Sequence, residues 1–125
     1  CMLLAETETI RSQNIETNGV DIERVKTMMQ YIHEHYMERL TLGSIANAAN
    51  ISNRECARCF QRCIGISPVN YLNDYRVRMA AQMLLQTSDS VLTISENCGF
   101  SSSSYFARVF HEAMNCTPKE YRRDH

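Results

Sequence analysis

Two ladders of chemically capable side chains share one short stretch of this chain. Cys56, Cys59 and Cys63 stand at i, i+3 and i+7, while Arg54, Arg58 and Arg62 stand at i, i+4 and i+8. On a helix each set runs along one face. Three thiols on a face could begin a zinc or cluster site, but zinc asks for four ligands. The fourth would have to come from Cys98, Cys116 or a histidine. Phe60 shares the thiol face, which turns it toward a core and makes the cysteines small core fillers. The arginine face then meets solvent. Arg54 and Arg58 can each form a bidentate contact with guanine, worth about 1–3 kcal/mol of discrimination. They could instead grip phosphate, which adds affinity without sequence choice. Arg62, lower on the helix, reads as a phosphate contact or a surface residue. The bland alternative for the whole ladder is a solvated face paired with Glu55.

A second polar cluster, Ser101 to Ser104, precedes Tyr105, Ala107 and Arg108. Serine hydroxyls cap helix amides and bind phosphates well, but they discriminate bases poorly. His33, His35, His111 and His125 are scattered without ligand spacing. No Ser-His-Asp order, glycine-rich phosphate loop or carboxylate pair stands out, so neither an enzyme nor a bound cofactor or metal is expected.

These clusters sit in a repeat. Ser52 to Phe60 recurs as Ser102 to Phe110 at an offset of 50, with Ser, Ala, Arg and Phe kept, and Pro68 and Tyr71 matching Pro118 and Tyr121. Upstream, Ile45 to Ile51 parallels Ile94 to Phe100 at an offset of 49, so the second turn holds one more residue. Each copy offers a small residue (Ala46, Ser95), then one that accepts the left-handed conformation (Asn50, Gly99), then a serine able to cap the next helix. Helix, tight turn and capped helix is the order of a helix-turn-helix, and a unit used twice suggests two grips on DNA.

Apolar spacing is helical almost throughout, and the chain has only 4 Gly and 2 Pro. The expected fold is all-α: two helix-turn-helix subdomains joined by a long linker helix, about seven helices in all. Residues 1–20 read as a linker or tail, 21–66 as the first subdomain, 67–87 as the linker helix and 88–125 as the second subdomain. The first helix is expected from about Ile22 to Glu38, capped by Asp21, with Met37 in its apolar stripe. Pro68 should open the linker helix. Met2 to Ala5 is too short for a signal or a membrane span, which points to a cytoplasmic protein with reduced thiols. The leading Cys suggests a piece of something longer. Net charge is −1. Residues 1–20 hold one Arg and three Glu, leaving 12 basic and 11 acidic residues after them. Average charge therefore gives no support to nucleic-acid binding; the placement of Arg54, Arg58 and Arg62 does, with Arg76, Arg78, Arg122 and Arg123 adding basic density.

From about residue 22 to 123 the chain resembles the AraC/XylS-type DNA-binding domain of transcription regulators. The resemblance is carried by Tyr75-Arg76-Val77, Ala80, Leu84-Leu85, Ile94, Gly99-Phe100, Ser104 to Phe110 and Thr117 to Arg122. It implies seven helices and promoter DNA as partner. It also implies activation beside RNA polymerase, and an N-terminal effector or dimerisation domain that residues 1–20 do not provide. DNA contacts would fall on Ser52, Asn53, Arg54, Ala57, Arg58 and Arg62, and on Ser102, Ser103, Ser104, Ala107 and Arg108. Ala57 departs from the longer polar residue common at its place and offers at most a thymine-methyl contact. Asn50 and Asn115 stand where Gly is usual, and Ser95 where Ala is usual. The first module is expected to carry most of the specificity, and the second to grip phosphate with Arg108 as its one strong reader. Two other readings stay open: the second module docking on RNA polymerase, and a thiol- or metal-responsive regulator built on Cys56, Cys59 and Cys63.

Overall fold

The computed structural model describes residues 19–125, so nearly all of the expected tail lies outside the described residues. Among the described residues seven helices follow one another: α1 Gly19–His35, α2 Leu42–Ala48, α3 Asn53–Ile64, α4 Pro68–Gln86, α5 Val91–Asn97, α6 Ser103–Met114 and α7 Pro118–Asp124. There is no strand among the described residues. The all-α expectation therefore holds.

Local rules set most of the boundaries. Thr41, Ser52, Ser67, Ser90, Ser102 and Thr117 each stand just before a helix in extended conformation and accept the amide three residues on. An oxygen so placed satisfies an amide that the first turn would leave bare. Pro68 and Pro118 follow their caps, where a missing N–H costs nothing. The left-handed residues foreseen at the turns are left-handed: Asn50 at φ 58°, Gly99 at 87° and Asn115 at 62°.

The first helix departs from expectation. It begins two residues before Asp21, which is therefore no cap but a first-turn residue, buried at 4% exposure. It ends at His35, so Met37 falls in the following turn and stands 55% exposed instead of joining the stripe. Val25, Met28 and Ile32 are buried as the periodicity requires.

Two cores result. The first gathers α1 residues with Ile45, Ala46, Cys56, Cys59, Phe60 and Leu72. The second gathers Val77, Ala80, Ala81 and Leu84 with Ile94, Cys98, Phe100, Phe106, Val109 and Phe110. Helix α4 contributes to both, packing on α2 and α3 at one end and on α5, α6 and α7 at the other.

Candidate nucleic-acid interface

Each helix-turn-helix is built by the same backbone device. In the first, Ile51 N donates to Ala46 O at 3.1 Å; in the second, Phe100 N donates to Ser95 O at 3.0 Å. These bonds close the turn around the left-handed Asn50 and Gly99. Ser52 Oγ then accepts from Glu55 N at 3.1 Å, and Ser102 Oγ from Tyr105 N at 3.0 Å. The two caps are in register at an offset of 50, so the extra residue of the second turn is Ser101. Ser95 fits the place of an alanine because its hydroxyl folds back onto Leu92 O at 2.8 Å.

The second helix of each unit buries one face and presents the other. Cys56, Cys59 and Phe60 of α3, and Phe106, Val109 and Phe110 of α6, are buried. Asn53, Arg54 and Arg58 are exposed on α3, with Ala57 half-buried between them. Ser103, Ser104, Ala107 and Arg108 are exposed on α6. The same period adds Gln61 and His111, exposed at matching repeat positions. Extending the i, i+3, i+7 count beyond Arg58 and Arg108 finds both.

Arg62 behaves unlike its ladder mates. Its guanidinium folds back on Asp21, with Nε and a terminal nitrogen 3.1 and 2.9 Å from Oδ2, and reaches Glu55 at 3.4 Å. The Asp21 hydrogen bond holds its pKa above the ordinary arginine value. Arg24 of α1 joins the group, 3.8 Å from Asp21 and 3.6 Å from Glu55. Arg58 lies 3.9 Å from Glu55 with its side chain 61% exposed. A pair that long and wet is worth little, so Arg58 can leave it for a partner on DNA. Arg54 makes no ion pair among the described residues. Arg108 rests over the Tyr105 ring, 5.2 Å from its centre, a contact that steadies the side chain while its head stays in water.

Two arginines counted as basic density are used elsewhere. Arg76 is buried and donates to the Tyr36 and Glu38 carbonyls. Arg122 donates to the Leu84 and Thr87 carbonyls. Each serves carbonyls at the C-terminal end of the helix that leads into a helix-turn-helix. Arg78 remains exposed on α4.

The cysteine ladder divides between core and edge. Cys56 and Cys59 are fully buried, and burial pushes both thiols up to about 11. Cys63 is half-buried, and Cys98 lies in the other core. The oxygens of Asp21 and Glu55 and the Cys59 sulfur come within 4.8 Å of one another. Arg24 and Arg62 already hold both carboxylates, and the Cys59 thiol donates to Asp21 at 3.4 Å. That group works as a charge-balanced tie between α1 and α3.

Residues 45–124 match a family model described as a helix-turn-helix domain, of AraC type. A transcriptional regulator of Bacillus subtilis, YdeC, is 36% identical over 125 aligned positions, covering 92% of this chain and 43% of its own length. The transcriptional activator RhaS of Pectobacterium carotovorum is 32% identical over 115 positions, covering 90% and 41%. Among solved structures, an AraC-type regulator from Chromobacterium violaceum superposes with a TM-score of 0.77 at 30% identity, covering 86% of this chain and 96% of that one. The chain belongs to the AraC family of transcription regulators. The DNA-binding domain of AdpA, solved with a target DNA, is similar too, with a TM-score of 0.74 at 27% identity over 78% of this chain and 87% of that one. This AraC-type domain spans about two fifths of the length of the curated relatives it matches. Those relatives are named as transcription regulators, not enzymes. No helix among the described residues is long and apolar enough to cross a membrane.

Proposed function

We propose that this domain binds a specific double-stranded operator with α3 and α6 in successive major grooves, on one face of the duplex and roughly one turn (about 34 Å) apart. It activates transcription from there. The reading rests on one observation above all. Two serine-capped helices, each with an exposed arginine at the repeat position of Arg58 and Arg108, are joined through a single helix shared by both cores. The AdpA complex and the activator names of the RhaS relatives support it.

In this reading Arg54 and Arg58 read bases, helped by Asn53 and by the methyl of Ala57. Ser52, Ser102, Ser103 and Ser104 hold phosphates and caps, Ala107 packs against the groove, and Arg108 is the reader of the second helix. If α4 is stiff, the DNA must bend to meet both helices, or the second settles for phosphates. RNA polymerase is the expected protein partner. A preceding effector or dimerisation domain in the intact, cytoplasmic protein belongs to the same reading, in keeping with the greater length of the relatives. A second reading has α6 dock on polymerase instead. One observation favours it: Arg108 is the only Arg or Lys on α6, with Glu112 one turn on.

Selection of bound sequences from a random duplex pool tests both, repeated with Arg58→Ala and Arg108→Ala. Two enriched blocks about one turn apart, each lost with its own arginine, are expected. One block tied to Arg58 would reduce α6 to backbone or protein contact. No enrichment, or affinity indifferent to salt where counterion release demands a steep fall, would sink the DNA reading.

A further inference from the structure

Leu72 of α4 sits in the first core, and Val77, Ala80, Ala81 and Leu84 sit in the second. Between them lies Arg76, 7% exposed. Its Nε donates to the Tyr36 carbonyl at 2.9 Å and a terminal nitrogen to the Glu38 carbonyl at 2.7 Å, both in the segment that leaves α1. Its guanidinium carbon stands 5.8 Å from the centre of the Phe100 ring, in the second turn. Gly99 completes the joint. A Cβ there would overlap the Tyr36 carbonyl oxygen and come within 3.0 Å of the Arg76 guanidinium. The Tyr36 side chain packs against both cores. Nearby on α4, Asn73 Nδ2 donates to the Tyr105 hydroxyl of α6 at 2.9 Å.

The exit of α1, the linker helix and the second turn therefore meet at one guanidinium. We infer that Arg76 is a positioning residue that fixes the angle between the two lobes, and with it the operator spacing this protein accepts. The inference rests on the two-helix reading above. No carboxylate pairs with Arg76 among the described residues, so the cation is held by two carbonyls and a ring face. A planar fork with two bonds to one segment restrains orientation, which an apolar side chain of equal volume does not do. Lysine, a point charge on a flexible stem, cannot reproduce the fork. When two modules are linked, the gain from the second depends on whether the link lets both engage. Each added base pair moves the second groove by about 3.4 Å along the axis and about 35° around it. A fixed joint makes such a shift costly; a loose one tolerates it.

The test uses the selected operator and versions with its spacer changed by one or two base pairs. Affinities are measured for the wild type, Arg76→Lys, Arg76→Met and, as the milder second variant, Asn73→Ala. Melting curves and affinity for a duplex carrying only the first block serve as controls. The wild type should lose about tenfold or more on mis-spacing, a fraction of the gain that linkage can supply. The Arg76 variants should lose about tenfold at the best spacing yet only about threefold or less beyond that on mis-spacing, with single-block affinity unchanged. Asn73→Ala should broaden the profile less. Folded variants with the wild-type spacing profile would overturn the inference, and if the Arg76 variants fail to fold, an unchanged profile in Asn73→Ala overturns it equally. A wild type indifferent to spacing would instead show that the two-helix reading has failed, and the inference with it.

Discussion

In the first lobe, α3 is fastened to α1 by Asp21, Arg62, Arg24 and Glu55, with two small thiols filling the core beneath. In the second lobe the same face of α6 is held by a row of rings. Phe100 and Phe106 have centres 4.9 Å apart and Phe106 and Phe110 5.7 Å, extending a Phe110–Tyr121 pair at 5.6 Å that the first lobe matches only with Phe60 and Tyr71 at 5.9 Å. Cys56 stands where Phe106 stands one repeat later, and Cys59 where Val109 stands. The turns and caps nevertheless superimpose in their bonds. What the motif needs is a backbone path set by a left-handed residue and a capping serine. The side chains that pin the helix down can be of different kinds. The choice has an electrical consequence: fastening α3 with ions ties up Arg62, one of the three arginines of its ladder, whereas fastening α6 with rings spends no charge.

The largest expected effect comes from the matched pair Phe106→Ala and Cys56→Ala. Losing a fully buried ring costs about 3–5 kcal/mol, because the cavity adds to the lost transfer energy. Losing a single buried sulfur costs about 1 kcal/mol, comparable to one buried methylene. Urea unfolding of both variants checks this. Equal losses would mean that the aromatic row is not what holds the second lobe.

Next comes the ionic tie. Asp21→Asn keeps the shape but removes the charge that Arg62 bonds, and should cost about 1–3 kcal/mol, as for a hydrogen bond to a charged group. It should also release Arg62. Non-specific DNA affinity should then rise, and the slope of log K against log salt should steepen by up to about one unit. Anisotropy titrations at several salt concentrations read both. An unchanged slope would show that Arg62 already reaches phosphate in the wild type, with its bond to Asp21 broken on binding.

The contrast between the lobes also explains what could be read in advance. Asn50, Gly99, Ser52, Ser102 and Pro68 act on neighbours three to six residues away, so their types and order announce the turns and caps directly. Exposure of Arg58 and Arg108 follows from helical period once Phe60 and Phe110 are turned inward. Asp21, Arg62 and Arg76 escaped because their partners lie 38 to 41 residues away. In a linear reading, a buried arginine forking onto carbonyls and one bound for phosphate are the same letter. The Asp21 cap failed for a related reason. A carboxylate before an apolar run suits a helix start, but here it lies inside the first turn, bonded to Arg62 and the Cys59 thiol far along the chain. Met37 shows the limit of periodicity itself, since a stripe says which face is buried but not where the helix stops.

The smallest effect lies in alkali. Burial lifts Cys56, Cys59 and Cys98 from an ordinary 9.0 to about 11, with the neighbouring Asp21 adding to the rise at Cys59. Below pH 9 each thiol is protonated whether the chain is folded or not, so their contribution is fully present there. As pH rises from about 9 toward about 11, the unfolded chain gains thiolates that the folded chain refuses, and stability falls. Two of these three groups belong to the first lobe and one to the second. Melting temperatures followed from about pH 8 to about pH 10.5 should therefore fall less steeply in Cys98→Ala than in the wild type, and less steeply again in a Cys56→Ala/Cys59→Ala double variant. Parallel curves would mean that the buried thiols ionise as freely as exposed ones, and that neither core keeps water from its thiols.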